Sequence, residues 1–293
     1  LNKTLLPHLA MFSVALFYSI NFFTVKVLFL EIDPFTALAL RSISGLLFFG
    51  LAWKWLFQSE AIQKKDIPAL LACGVTGISI NQIFFLWGLS LTSEFHGAIL
   101  MLLTPIFVFI LNQYLRGEEK WNLRKIAGLT LSTAGAIWLV QEASAGGIGG
   151  RDSLVGDLMI LINAASYGLY LVLVKPLTAK YKPVTILFFM FLSGGVVNVI
   201  TGMPFLIQTD FGLLSPMAWF GLIFLILGAT ILAYLLNAWA MVRVSPVWVG
   251  TYIYLQPILT MLISAMVLSG SITPIRVLNA LMILTGVYLT GKK

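Results

Sequence analysis

The stretch from Ile67 to Ser93 contains no Asp, Glu, Lys or Arg, and neither does the stretch from Pro183 to Thr209. A mostly apolar run of about 20 residues is long enough to cross a bilayer's hydrocarbon core as a helix. Runs of this kind fall at 6–28, 35–56, 68–91, 95–115, 123–141, 154–174, 184–206, 216–242, 247–268 and 272–290, ten in all. Alternating segments of about ten residues, the mark of a membrane barrel, are absent. Helix is then the way to satisfy the backbone in lipid. Composition agrees: 59% of residues are hydrophobic and 10% charged, against about 45–50% and about 25% in soluble domains. An ordinary soluble enzyme and a disordered chain are excluded. The single cysteine, Cys73, excludes a disulfide scaffold. The first run is too long for a signal-peptide core and no small-x-small cleavage site follows it, so it reads as a retained helix.

The net charge of +7 would suit a nucleic-acid binder. Here the basic residues lie in the gaps between apolar runs, where they act as topology signals. With ten helices and a cytoplasmic N-terminus, fourteen Lys and Arg fall on the cytoplasmic side. Three (Lys26, Arg151 and Arg276) fall outside, and Arg41 lies within a helix. A bias of this size supports an even count with both termini cytoplasmic, and nucleic acid is not expected as a partner.

The chain repeats itself. Pairing residue n with n+149 matches Tyr18 with Tyr167, Lys26 with Lys175, Pro34 with Pro183 and Ser44-Gly45 with Ser193-Gly194. Pairing n with n+152 matches Trp87 with Trp239, Ser93 with Ser245, Pro105 with Pro257 and Arg124 with Arg276; a shift of one residue then sets Gly135 against Gly286. Matched Pro, Trp, Lys and Arg are not apolar filler. The expected organisation is a five-helix unit over 1–143, a glycine-rich linker over 144–153, and a second five-helix unit over 154–293. Five is odd, so the second unit is inverted in the membrane. The expected fold is all-α, ten transmembrane helices in two inverted repeats, the plan of secondary transporters with a substrate site near the midplane.

These residues resemble the EamA-type branch of the drug/metabolite transporter superfamily. The first half carries Asn21, Lys26, Pro34 and Arg41, then NQIFFLWGLSLTSEFHGAILMLLTPIFVFI and GEEKWNLRKIAGLTLSTAGAIWLV. The second carries GDLMILINAASYGLYLVLVKPL and LQPILTMLISAMVLSGSITPIRVLNALMILTGVYL. It departs from the pattern at SGSI, which replaces the usual Gly-Glu, and at Met190, which stands opposite Arg41. The resemblance implies export or exchange of small metabolites, often amino acids, through a cavity lined mainly by helices 1, 3, 4, 6, 8 and 9. A bacterial inner-membrane location goes with it.

Signals for catalysis are thin. His8 and His96 are the only histidines, which disfavours a zinc triad. No G-x-S-x-G elbow occurs, and no metal or cofactor is called for. Polar residues inside spans are the stronger clue. Tyr18, Asn21, Asn81, Gln82, Asn163, Tyr167, Tyr170, Tyr234, Asn237, Tyr252 and Gln256 are expected to line a wet, uncharged cavity. Asn112-Gln113 and Asn198 also interrupt apolar runs. Asn163, Tyr167 and Tyr170 share a helix face at i, i+4 and i+7, as do Tyr234 and Asn237 at i and i+3. Each alone is also explained by an interhelical hydrogen bond. Arg41 lies about 9 Å into helix two, at about 1.5 Å per residue. It either snorkels outward or pairs with Glu94, beside His96, as an outer gate or carboxylate anchor. Pro105 and Pro257 are expected as matched kinks and hinges. No Asp or Glu falls at mid-depth, which disfavours a carboxylate-driven proton antiporter and favours a uniporter or exchanger.

The expected function is export of a small polar or zwitterionic metabolite, such as an amino acid, by alternating access. The partners are that small molecule and the lipid bilayer, with a homodimer left open. An organic-anion or phosphate-ester exchanger and a non-transporting scaffold or sensor are the rival readings.

Overall fold

The computed structural model describes residues 5–56, 60–91, 100–117, 122–144, 154–267 and 274–291. These form ten helical elements. They are α1 (Leu5–Leu28), α2 (Pro34–Trp55), α3 (Lys64–Leu89), α4 (Thr104–Arg116), α5 (Leu123–Ser144), α6 (Leu154–Thr178), α7 (Pro183–Leu206), α8 (Pro216–Met241), α9 (Pro246–Thr251 continuing to Leu255–Val267) and α10 (Pro274–Gly291). Among them α2, α3, α6, α7 and α8 are long and apolar enough to span a bilayer without a break. Most of the expected 144–153 linker lies outside the described residues.

Local chemistry explains the helix starts. Proline occupies the first turn of α2, α7, α8 and α9, where its missing N–H removes no intrahelical bond. Asp33, Ser215 and Ser245 cap α2, α8 and α9 by accepting from the backbone N–H groups of Phe35, Ala218 and Trp248. Gly117 closes α4 at φ 64°, a left-handed conformation that glycine adopts without strain.

The burial pattern is that of a protein dissolved in lipid. Leu47, Ile200, Phe220 and Leu281 are more than half exposed, whereas Ser42, Gln82, Asn112, Asn163, Asn198 and Asn279 are buried. Polar groups turn inward because lipid offers them no partner.

The helix contacts carry the repeat into three dimensions. α2 packs on α7 and α5 on α10, each helix against its own repeat mate. α3 packs on α6 while α8 packs on α1, and α4 on α6 while α9 packs on α1. Exchanging the two halves leaves this set of contacts unchanged, which is the signature of a pseudo-two-fold axis.

Two departures from plain helix position the site. α3 contains a π-helical segment at Val75–Ile80 and α8 one at Leu227–Leu232, mates at the 152-residue offset. A π segment leaves carbonyls without their usual intrahelical donors, and such segments gather at functional sites. α4 and α9 are broken at matched places. A turn at Leu102–Leu103 precedes Pro105, and a 3-10 turn at Tyr252–Tyr254 precedes Pro257. Both prolines thus sit in the first turn after a break rather than within a continuous helix.

Candidate functional site

The wide turn of α3 exposes backbone carbonyls to side chains from the other repeat. Ser166 Oγ donates to the Thr76 carbonyl at 2.5 Å and Asn163 Nδ2 to the Asn81 carbonyl at 2.6 Å. The Tyr234 hydroxyl donates to the Gly77 carbonyl at 3.4 Å. Gly77 has a second role. A Cβ there would stand 2.6 Å from Cγ of Tyr170, so the absent side chain lets that ring lie against α3.

From Tyr234 a directed chain crosses the axis. Because Tyr234 donates to Gly77, its oxygen accepts from Gln82 Nε2 at 2.8 Å. Gln82 Oε1 then accepts from Asn198 Nδ2 at 3.1 Å, and Asn198 Nδ2 also donates to Ser42 Oγ at 3.2 Å. Gln82 and Tyr234 are repeat mates at the 152-residue offset, so their bond lies on the pseudo-two-fold axis. Around that bond the symmetry fails. Ser42 and Asn198 are the mates of Phe191 and Phe49, whose rings meet at 5.4 Å. Phe191 in turn meets the Tyr234 ring edge-on at 5.6 Å. One side of the axis is polar and the other aromatic.

A tyrosine cluster flanks this node. Tyr18 and Tyr167 pack against the buried cluster that holds Tyr170 and Tyr234. The rings of Tyr167 and Tyr170 are 5.6 Å apart, and Asn237 Nδ2 donates to the Tyr167 hydroxyl at 2.6 Å. The buried amide oxygens of Asn21, Asn163, Asn198 and Asn237 accept no hydrogen bond from a described residue, and the buried Arg41 Nε donates none to one; the amides of Asn112 and Asn279, on α4 and α10, are in the same state. Buried polar atoms without partners are rare in folded proteins and mark places where a ligand or water completes the bonding.

The structure therefore brings together Tyr18, Asn163, Tyr167, Tyr170, Tyr234 and Asn237 with Gln82 and the Asn81 backbone. Gln256 is tied to α1 through its carbonyl, which accepts from Ser19 Oγ at 3.3 Å, and makes no described contact with the node. Tyr252 stands apart. Its hydroxyl is 2.8 Å from Nδ1 of His8, near the start of α1, with the Trp248 ring 5.2 Å from the histidine. Glu94 and His96 lie outside the described residues. Sequence reasoning passed over Ser42, Phe49, Ser166 and Phe191. Asn198 was visible as a polar break, but its bonding partners were not.

Both ends of the bundle carry latches between repeats. At one end Lys180 Nζ meets Asp66 at 2.9 Å and the Tyr181 hydroxyl donates to the same carboxylate at 2.8 Å. These donors, Lys180 first, hold the Asp66 carboxyl below its ordinary range. Nearby, Lys175 Nζ donates to the carbonyls of Met241 and Val244 at 2.6 and 2.7 Å, tying α6 to the end of α8. At the other end Glu31 accepts from Ser215 Oγ at 2.6 Å and from its N–H at 2.7 Å. Those bonds, the side-chain one first, lower the Glu31 carboxyl. Open cavities of about 280 Å³ and about 660 Å³ lie beside Lys180 and Glu31 respectively. Both lie at the ends of the bundle, and neither is lined by residues of the tyrosine node.

The model of the EamA-like transporter family matches residues 5–141 and, a second time, residues 154–292. The chain belongs to the EamA-like transporter family. It is a multi-pass membrane transporter built from a duplicated unit, and not an enzyme. This EamA-like chain is 24% identical over 292 residues to an uncharacterized transporter of Archaeoglobus fulgidus, covering 98% of this chain and 97% of that one. It is 23% identical over 230 residues to a probable terminal-alkyne amino-acid exporter of Streptantibioticus cattleyicolor, covering 78% and 74% of the two chains. A crystal structure of 17% identity superposes with a TM-score of 0.80 over 97% of this chain and 96% of that one, a likeness of fold.

Proposed function

We propose that this transporter exports small polar or zwitterionic metabolites, amino acids among them, across a bacterial cytoplasmic membrane by alternating access, with both termini cytoplasmic. The observation that carries the reading is the buried chain Asn198–Gln82–Tyr234–Gly77, which crosses the repeat axis and ends in an unpartnered amide oxygen. Such a chain gives the two halves a shared polar surface where a ligand's donors and acceptors can exchange with protein groups as the halves rock. The amino-acid exporter among the relatives is consistent with it. The described acidic residues lie at helix ends and in connections, among them Glu31, Asp33, Asp66 and Asp210. With no carboxylate at mid-depth among the described residues to carry a proton, exchange or uniport fits the site better than proton antiport.

The test is counterflow in proteoliposomes loaded with a panel of unlabelled amino acids. Labelled substrate should accumulate transiently in vesicles holding the wild type, and a pH gradient should drive no net accumulation. Gln82→Leu should reduce the rate at least roughly tenfold, because Asn198 and Tyr234 each lose one hydrogen bond and the chain across the axis is cut in a low-dielectric interior. Unchanged counterflow in Gln82→Leu would remove the node from the transport path.

A further inference from the structure

We propose that Arg41 anchors the carboxylate of the substrate. The substrate is then an amphipathic monocarboxylate whose apolar body lies against the aromatic side of the axis. This rests on the transport reading and narrows it.

Arg41 is only 9% exposed, on a stretch of α2 whose buried residues also include Leu38, Ser42, Gly45 and Phe49. It forms no hydrogen bond or ion pair with any described residue, and its Nε is buried without an acceptor. The described acids at that end of the bundle are engaged elsewhere. Glu31 accepts from Ser215, Asp33 from the Phe35 N–H and Asp210 from the Gly212 N–H. An ionised guanidinium inside a membrane helix is expensive unless an anion or aligned acceptors meet it. A carboxylate fits its planar fork with two parallel hydrogen bonds. One turn further along the same face of α2, Gly45 lies against the Phe191 ring, which meets the Tyr234 ring at 5.6 Å, so the anchor stands beside the tyrosine cluster.

The repeat supplies the other half of the argument. The mates of Arg41, Ser42 and Asn198 are Met190, Phe191 and Phe49, all buried. Where one side of the axis offers a cation and amides, the mirrored side offers a thioether and rings. A ligand bridging the two sides needs a negative head and an apolar body. An amine without an acid finds no carboxylate to meet it among the described residues of this site.

The test uses the purified full chain in detergent and four probes of one shape: L-phenylalanine, 3-phenylpropionate, L-phenylalaninamide and 2-phenylethylamine. The two carboxylates should raise the thermal midpoint. The amide and the amine should bind at least roughly tenfold more weakly, the loss of one charge-assisted pair. Arg41→Gln should erase the preference, and Arg41→Lys should keep it at lower affinity. Unliganded midpoints of both variants report whether they fold, and the wild-type series stands without them. Equal binding of acid and amide, acid preference surviving in Arg41→Gln, or no shift with any probe would each overturn the anchor. Flux separates this from the broader reading. Acid-selective binding without counterflow defeats export and leaves the anchor, whereas equal counterflow of acid and amide defeats the anchor and leaves export.

Discussion

Two places where helices meet their own repeat mates treat the pseudo-two-fold axis differently. Between α5 and α10 the backbone contacts keep the symmetry, although Asn279 and Ile283 are the mates of the smaller Gly128 and Ser132. A Cβ on Gly128 would stand 2.7 Å from the Gly286 carbonyl, and one on Gly135 would stand 3.1 Å from the Asn279 carbonyl. Those two contacts exchange when the halves are swapped. Ser132 Oγ donates to the carbonyl of its mate Ile283 at 3.2 Å. Between α2 and α7 the backbones obey the same axis, but Ser42 and Asn198 on one side answer Phe191 and Phe49 on the other. Duplication made both interfaces equal at the start. The one whose contacts kept the symmetry packs backbone against backbone at Gly128, Gly135 and Gly286, where an added Cβ would meet the opposite helix. The one that lost it lies beside Arg41, unpartnered among the described residues, and the tyrosines. The break that sets polar against aromatic side chains is the one that adjoins the tyrosine cluster.

The largest effect is expected where symmetry is kept. Gly135→Leu and Gly286→Leu should both lower the thermal midpoint in detergent, with a destabilisation of about 1–3 kcal/mol or more from overpacking. Gly286→Leu should be the worse, because its Cβ would meet Ser132 N at 2.6 Å, whereas the nearest atom to a Cβ on Gly135 is Cβ of Met282 at 2.9 Å. If one variant were harmless, the seam would not be symmetric in energy and the comparison would fail at its first step.

Mates across the asymmetric interface should instead separate function from stability. Asn198→Leu leaves Gln82 Oε1 and Ser42 Oγ without their donor. Counterflow should drop at least roughly tenfold, with about 1–3 kcal/mol of stability lost for the stranded polar atoms. Phe49→Leu, at the mated position, keeps an apolar filling of similar shape. It should change counterflow less than about twofold and stability by about 1 kcal/mol. Equal losses of flux in the two variants would show that the polar side has no special part in transport.

How much of this could be read from the chain depends on the length scale of the signal. Ten apolar runs are long, and hydrophobic thickness sets their minimum length, so spans and fold class were accessible. The repeat was accessible because Pro, Lys and Trp at fixed offsets stand out against apolar filler. The π segments of α3 and α8 carry no such mark. VTGISI and LGATIL are unremarkable apolar strings, and the extra residue per turn comes from tertiary bonds such as Ser166 to the Thr76 carbonyl. Tyr252 shows the opposite limit. Its spacing resembles that of the deep tyrosines, yet His8 and Trp248, remote in sequence, hold it at another place. Phe49 and Phe191 looked like filler until the offset set them against Asn198 and Ser42. The register contained that asymmetry, but only contacts across the axis gave it meaning.

The end latches give the smallest test of the same idea. Glu31 and Lys180 are mates at the 149-residue offset, and Asp66 and Ser215 each stand at the N-terminal cap of the third helix of a repeat. The two latches are therefore one contact written twice, once as an ion pair and once as a carboxylate held by a hydroxyl and an N–H. Both carboxyls are held below their ordinary range, Asp66 by Lys180 and then Tyr181, and Glu31 by Ser215. A depressed carboxylate stabilises fully above its unfolded-state pKa and loses that contribution as pH falls through the folded value. Both latches should weaken in acid below about pH 4, and Asp66→Asn or Glu31→Gln should shrink the acid-dependent part of the midpoint. Salt tells them apart. About 1 M salt shortens the screening length to about 3 Å, so it should weaken Lys180–Asp66 and leave the neutral donors on Glu31 largely intact. Lys180 and Glu31 are open to solvent at the ends of the bundle, so each effect should fall below those at the two interfaces. Equal salt sensitivity of Asp66→Asn and Glu31→Gln relative to wild type would mean that the chemical difference between the mated latches has no energetic consequence. The asymmetry that matters would then be confined to the site at the axis.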